Sequence, residues 1–311
     1  LYALGIDYPG IGLNQSKIAH HNLANEFLGH RDFNAGDGTI RDLLDYLGRP
    51  DRQPNIVLSS EGFVNCLCNA GAREKFLAFI GTCASTNDRV CLVFTIRALS
   101  QYFDSWYVQR LKIGTANLNM TDYVKSSIHW IRNFFRALEE LRNIVGTGGV
   151  VVFDVTQGDG DSVSALLSLL GTGDRAKEDS SAKRYNARLG LKKASLIYQL
   201  QKLTEYSQDK KGGGGIAPLR MAILKARDFP NEIFQYRVIP YDDANKIQAI
   251  GRHNVPPFLK AVFENALRPE PEHYQFISLS DINLSAEEML FLKQHLPPEL
   301  KSVSMLDAVT A

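Results

Sequence analysis

Three short apolar runs punctuate the first half of the chain, and each ends on polar residues. Ile56-Val57-Leu58 closes on Ser59-Ser60-Glu61-Gly62, residues 90–96 close on Arg97, and Val150-Val151-Val152-Phe153 closes on Asp154. Runs this short, rich in β-branched and aromatic residues, predict buried strands. Segments of helical period lie between them, an alternation that predicts parallel strands joined by crossover helices. Helices are expected over 17–28, 39–47, 73–83, 100–112, 121–144 and 162–170. In the longest, Tyr123, Ile128, Ile131, Phe134, Phe135, Leu138 and Leu141 recur near helical spacing.

The pattern changes near Gly171. Residues 171–183 read as a polar loop and 189–206 as a helix, and Asp209 to Gly215 interrupt the chain as a flexible break. Helices are expected to resume near Leu219 and over 242–267. A last one should start at Ser285-Ala286-Glu287-Glu288, which has capping-box form. No internal repeat is visible. The expected architecture is an α/β core over 1–170 and a mostly helical extension over 171–311 that wraps the core or covers it as a lid.

Composition narrows this picture. The chain has 311 residues, enough for one large α/β domain or two ordinary ones, and its 44% hydrophobic and 22% charged residues describe a folded protein. A net charge of +1 gives no global argument for nucleic acid or an acidic membrane surface. No apolar run approaches the length of a membrane span. Four cysteines, Cys66, Cys68, Cys83 and Cys91, lie close together without zinc-ligand spacing. They read as free thiols, small buried hydrophobes in a reducing compartment, which points to the cytosol. Cys91 is expected to be buried within its strand. The opening, Leu1-Tyr2-Ala3-Leu4-Gly5-Ile6-Asp7, reads as a helix end running into a strand, as in a chain cut within a domain.

Candidate chemistry gathers at the ends of the apolar runs. In open α/β sheets ligands bind outside the carboxyl ends of the strands. Arg97 stands at such an end, and its guanidinium can grip a phosphate bidentately. Ser105 follows eight residues later, about two turns into the next helix, where its hydroxyl can meet the same anion. The plainer alternative is a surface arginine and a solvent-facing serine. Glu61 ends another run. It is either a general base, if a cleft raises its pKa, or a helix N-terminal acid favoured by the dipole. His20 and His21, on an amphipathic segment, are candidates for the base or for acceptor contact, or structural residues. Lys17 is a possible anion contact or a solvated lysine, and His129 and Trp130 read as packing residues.

The stretch Arg97-Ala98-Leu99-Ser100-Gln101-Tyr102-Phe103-Asp104-Ser105-Trp106-Tyr107 resembles the signature after the central strand of sulfotransferases. There an apolar strand ends in Arg, and a Ser eight residues on is followed by aromatics. Leu99 stands where that family usually has a proline. The likeness is to bacterial sulfotransferase-like proteins acting on carbohydrates, and it extends to Tyr8-Pro9-Gly10, to Ala19-His20-His21-Asn22-Leu23-Ala24 and to Val57-Leu58-Ser59-Ser60-Glu61-Gly62-Phe63. It covers roughly 1–170.

The resemblance implies a three-layer P-loop-type parallel sheet flanked by helices. It also implies an enzyme that moves a sulfuryl group from 3′-phosphoadenosine 5′-phosphosulfate (PAPS) to a hydroxyl of a glycan or glycolipid, without a metal. Arg97 and Ser105 would hold the 3′-phosphate, Arg184 and Arg188 would add nucleotide or acceptor contacts, and Glu61, His20 or His21 would be the base. The phosphosulfate loop of such enzymes would lie upstream of Leu1, since no matching turn occurs within the chain.

Two rivals remain open at this stage. A nucleotide-sugar glycosyltransferase also binds anions at strand ends and commonly uses a metal-binding Asp-x-Asp; Asp159-Gly160-Asp161 has that form. A non-catalytic binding protein on a decayed sulfotransferase scaffold is the other.

Overall fold

A computed structural model describes residues 5–13, 19–86, 89–116, 118–154, 190–206, 216–225, 236–269, 276–282, 285–287 and 290. In chain order the elements are β1 (Ile6–Asp7), α1 (His21–Leu28), α2 (Ile40–Leu47), β2 (Asn55–Ile56), α3 (Gly62–Cys68), α4 (Ala70–Thr86), β3 (Leu92–Ile96), α5 (Leu99–Ile113), α6 (Met120–Val145), β4 (Val150–Asp154), α7 (Leu191–Tyr206), α8 (Ile216–Lys225), α9 (Tyr241–Asn254) and α10 (Lys260–Phe263). The protein is mixed α/β. Strands β1 and β2 pair in parallel, with Ile6 opposite Asn55 and Asp7 opposite Ile56. Strands β3 and β4 also pair in parallel, from Leu92–Val150 to Ile96–Asp154. The runs ending at Ile96 and Phe153 are thus paired parallel strands, whereas only Ile56 of the first run lies in one. Most strand positions are half-buried rather than buried, and the described residues hold two two-stranded sheets.

Local chemistry explains several boundaries. Thr39 caps α2: its hydroxyl accepts from the Asp42 N–H, and the Asp42 carboxylate accepts from the Thr39 N–H, a reciprocal capping box. Asn69 starts α4 by accepting the Ala72 N–H at its side chain, so that helix begins before the expected 73. Helix α1 begins at His21, later than the expected 17, because His20 has left helical geometry (φ −77°, ψ 46°) to bond elsewhere. The helix expected over 242–267 breaks after Asn254. Pro256 and Pro257 remove two backbone donors and bar the preceding residue from helical geometry, so a 3-10 turn (Pro257–Leu259) and the short α10 follow. Strand β3 starts at Leu92, which leaves Cys91 outside it and exposed, against the expectation of burial. All four cysteines are free thiols. The expected helix over 162–170 lies outside the described residues.

The chain forms two compact units. The first comprises Leu1–Ile96, Ile128–Ser180 and Ile250–Ala266, the second Arg97–Ser127, Ser181–Ala249 and Leu267–Ala311. Both strand pairs belong to the first. Its core is aromatic: Phe27 meets Phe76 edge-on with ring centres 5.2 Å apart, Phe94 of β3 meets Phe134 of α6, and Phe135 meets Phe263 of α10. Helix α3 lies close on α1, and Gly62 permits it, since a Cβ there would come within 2.6 Å of the Ala24 Cβ. The second unit is helical. The buried positions of α5 (Leu99, Ser100, Phe103, Asp104, Tyr107, Val108 and Leu111) form one stripe of helical period. Tyr107 packs edge-on to Tyr123, whose hydroxyl donates to the Phe103 carbonyl at 2.6 Å.

Candidate functional site

In the first unit the loops leaving the carboxyl ends of β1 and β2 meet, where parallel sheets place their ligands. His20 joins them. Its imidazole is fully buried, its Nε2 lies 3.0 Å from the Pro9 carbonyl, and its Nδ1 accepts the Ser59 N–H at 3.1 Å. A backbone donor on Nδ1 requires a lone pair there, so the proton sits on Nε2 and donates to Pro9. Burial pushes the imidazole pKa below its ordinary 6.5, opposed by the Pro9 carbonyl. The Tyr8 ring packs edge-on to this imidazole, and the Tyr8 hydroxyl bonds the Ser59 hydroxyl at 2.7 Å.

The adjoining side chains form a second, more accessible layer. His21, half-buried as the first residue of α1, places Nδ1 2.9 Å from the Ser60 hydroxyl. The same hydroxyl accepts the Gly62 N–H at 3.0 Å at the start of α3. Glu61 stands at the N-cap position of α3, exposed, and its carboxylate makes no capping bond. The structure thus brings His20, His21 and Glu61 into one loop cluster. It gives His20 a backbone partner at each ring nitrogen, and it leaves Glu61 facing solvent. Asp7, the last residue of β1, accepts a hydrogen bond from the Tyr46 hydroxyl. That bond holds the phenol's pKa above its usual value. Asp7 ends the strand expected at the opening of the chain, but its partner Tyr46 lies 39 residues away, beyond any local pattern.

In the second unit Arg97 and Ser105 share one turn-to-helix element. Arg97 follows the last residue of β3 and is exposed. Ala98, the N-cap of α5, offers no side-chain cap to the first-turn N–H groups. Ser105 is half-buried, six residues after Leu99, which places it about 9 Å along the helix at the usual rise. The Arg110 guanidinium lies over the neighbouring Trp106 ring, 5.5 Å from its centre.

Asp104, beside Ser105, was not legible as a functional residue. It is buried, and its carboxylate accepts the backbone N–H groups of Val238 at 2.7 Å and Ile239 at 3.2 Å. Its signal in the sequence is weak: one acid on an apolar helical stripe, whose partners lie far along the chain.

Lys17, Arg184, Arg188 and the Asp159-Gly160-Asp161 segment lie outside the described residues. Among the described residues no helix is long and apolar enough to cross a membrane. Compared with family models, with curated proteins and with solved structures, the chain finds no match.

Proposed function

We propose that the chain is a sulfotransferase-like enzyme that moves a sulfuryl group from PAPS to a hydroxyl of a glycan or glycolipid. The observation that carries this reading is the placement of Arg97 and Ser105. The arginine comes straight off the carboxyl end of a parallel strand, and the serine sits two turns into the helix that follows. An arginine at the start of a helix suits a phosphate, which its guanidinium grips bidentately beside the positive end of the helix dipole. In this reading the pair holds the 3′-phosphate of the donor.

Transfer requires the acceptor oxygen to attack sulfur while the bond from sulfur to the bridging phosphate oxygen breaks. The acceptor proton then needs a base. His20 is committed to Pro9 and Ser59 through both ring nitrogens. Glu61 offers an exposed carboxylate at the mouth of the same loops, and it is the residue to which this reading gives the proton. His21, tied to Ser60 by Nδ1 alone, is the second candidate.

The test is thermal. Adenosine 3′,5′-bisphosphate should raise the melting temperature of the protein, and Arg97→Ala should remove that shift. Absence of a shift in the parent protein rejects the donor assignment.

A further inference from the structure

The second unit contains a cavity of about 370 Å³, the lower end of the range that holds small ligands. Three aromatic side chains from separate segments wall it: Tyr107 of α5, Tyr198 of α7 and Phe276. Aliphatic and thioether side chains line most of the rest. Ser278 and Asp281 are its polar members, and Asp281 is the one charged residue among the described lining residues.

The walls are held by polar anchors that a purely apolar core would not need. The Asp104 carboxylate holds Val238 and Ile239 by their N–H groups. Arg237 and Phe276 form a parallel bridge, and the Ile277 N–H donates to the Arg237 carbonyl at 2.8 Å. The buried Ser195 hydroxyl of α7 donates to the Leu279 carbonyl at 2.6 Å, and Gln199 donates to Ile282 at 3.0 Å. Together these fix four separate segments around a space that no described side chain fills. Buried hydrogen-bonded groups specify one arrangement, so the cavity is preformed.

Its chemistry has a sign. Aromatic faces carry negative potential and attract cations, and a carboxylate at the rim does the same. An anion meets no cationic side chain among the described lining residues. We propose that this cavity binds a small organic cation, an ammonium group carried on a compact apolar body. It is a site separate in charge preference from the phosphate-binding role given to Arg97 and Ser105, and it does not depend on that role.

The test compares two probes of one shape on the full chain: choline, and its neutral isostere 3,3-dimethylbutan-1-ol. Ligand-observed saturation-transfer NMR at low ionic strength should show choline binding and the alcohol binding at least several-fold more weakly. Asp281→Asn, an exposed position whose change leaves the core untouched, should weaken choline about three- to tenfold. Leu118→Trp, which fills the cavity, should remove binding while the melting transition stays cooperative. Equal binding of the two probes, unchanged choline affinity in Asp281→Asn, or no choline binding to the parent protein each overturns the proposal. Adenosine 3′,5′-bisphosphate reads the other site, so failure of one assignment leaves the other standing.

Discussion

Ser59 and His20 hold each other twice. The Ser59 N–H donates to His20 Nδ1 at 3.1 Å, and the His20 N–H donates to the Ser59 carbonyl at 2.7 Å. With Nε2 on Pro9, a single histidine staples the loop after β1 to the loop after β2.

The staple makes stability depend on pH. The folded pKa of His20 lies below the ordinary 6.5 because the ring is buried. The unfolded chain therefore takes up the proton more readily. The stabilisation is complete above the unfolded value and is lost as pH falls through it toward the folded value. Urea midpoints measured between about pH 7.5 and 5.5 should fall on the acid side, and His20→Gln, which does not titrate, should flatten that slope while lowering stability throughout. Identical slopes in the two proteins would place the acid sensitivity elsewhere.

Glu61→Gln probes the proposed base. The exposed carboxylate makes no capping bond, so the substitution should leave folding intact. Turnover should drop by roughly two or more orders of magnitude, with adenosine 3′,5′-bisphosphate affinity near that of the parent. Turnover close to normal would pass the proton to His21.

Asp104 anchors the second unit through two backbone donors. Asp104→Ala strands both N–H groups in a buried setting, at a cost of about 2–4 kcal/mol. Equilibrium urea unfolding measures it directly. Asp104→Asn, which keeps one acceptor oxygen, should fall between the two.

Gly62 and Ala24 form a contact with room for one methyl group. Gly62→Ala should cost about 1–3 kcal/mol, because the new Cβ would stand 2.6 Å from that of Ala24. Adding Ala24→Gly should recover part of the loss despite the lower helix propensity of glycine, which is worth about 1 kcal/mol. Simple additivity in this double-mutant cycle would show that α1 and α3 separate rather than clash.

Much of the fold was legible because it follows from periodicity. The apolar runs ending at Ile96 and Phe153 became paired parallel strands, and the stripe at Phe134–Leu138 became a buried helix face. Boundaries failed where side chains bonded out of register. A helix through residue 20 satisfies the hydrophobic pattern, but His20 gains more from a loop 39 residues away than from another helical turn. Cys91 fits a strand by composition, yet pairing begins one residue later. The loop cluster was readable as residue types, His20, His21 and Glu61, but not as geometry. Which histidine is tied down depends on Pro9 and Ser59, and no local pattern specifies that. The aromatic cavity left no local trace, since its walls come from segments up to 174 residues apart, Tyr107 to Asp281.

Each compact unit is assembled from three separated stretches of chain, and the first is completed only by residues 250–266. A ribosome must therefore release most of the polypeptide before α10 can bring Phe263 against Phe135. Until then the aromatic core lacks one wall. The first unit should be completed late in the protein's own synthesis, and a stop anywhere before residue 250 would leave it unfinished and exposed to proteolysis.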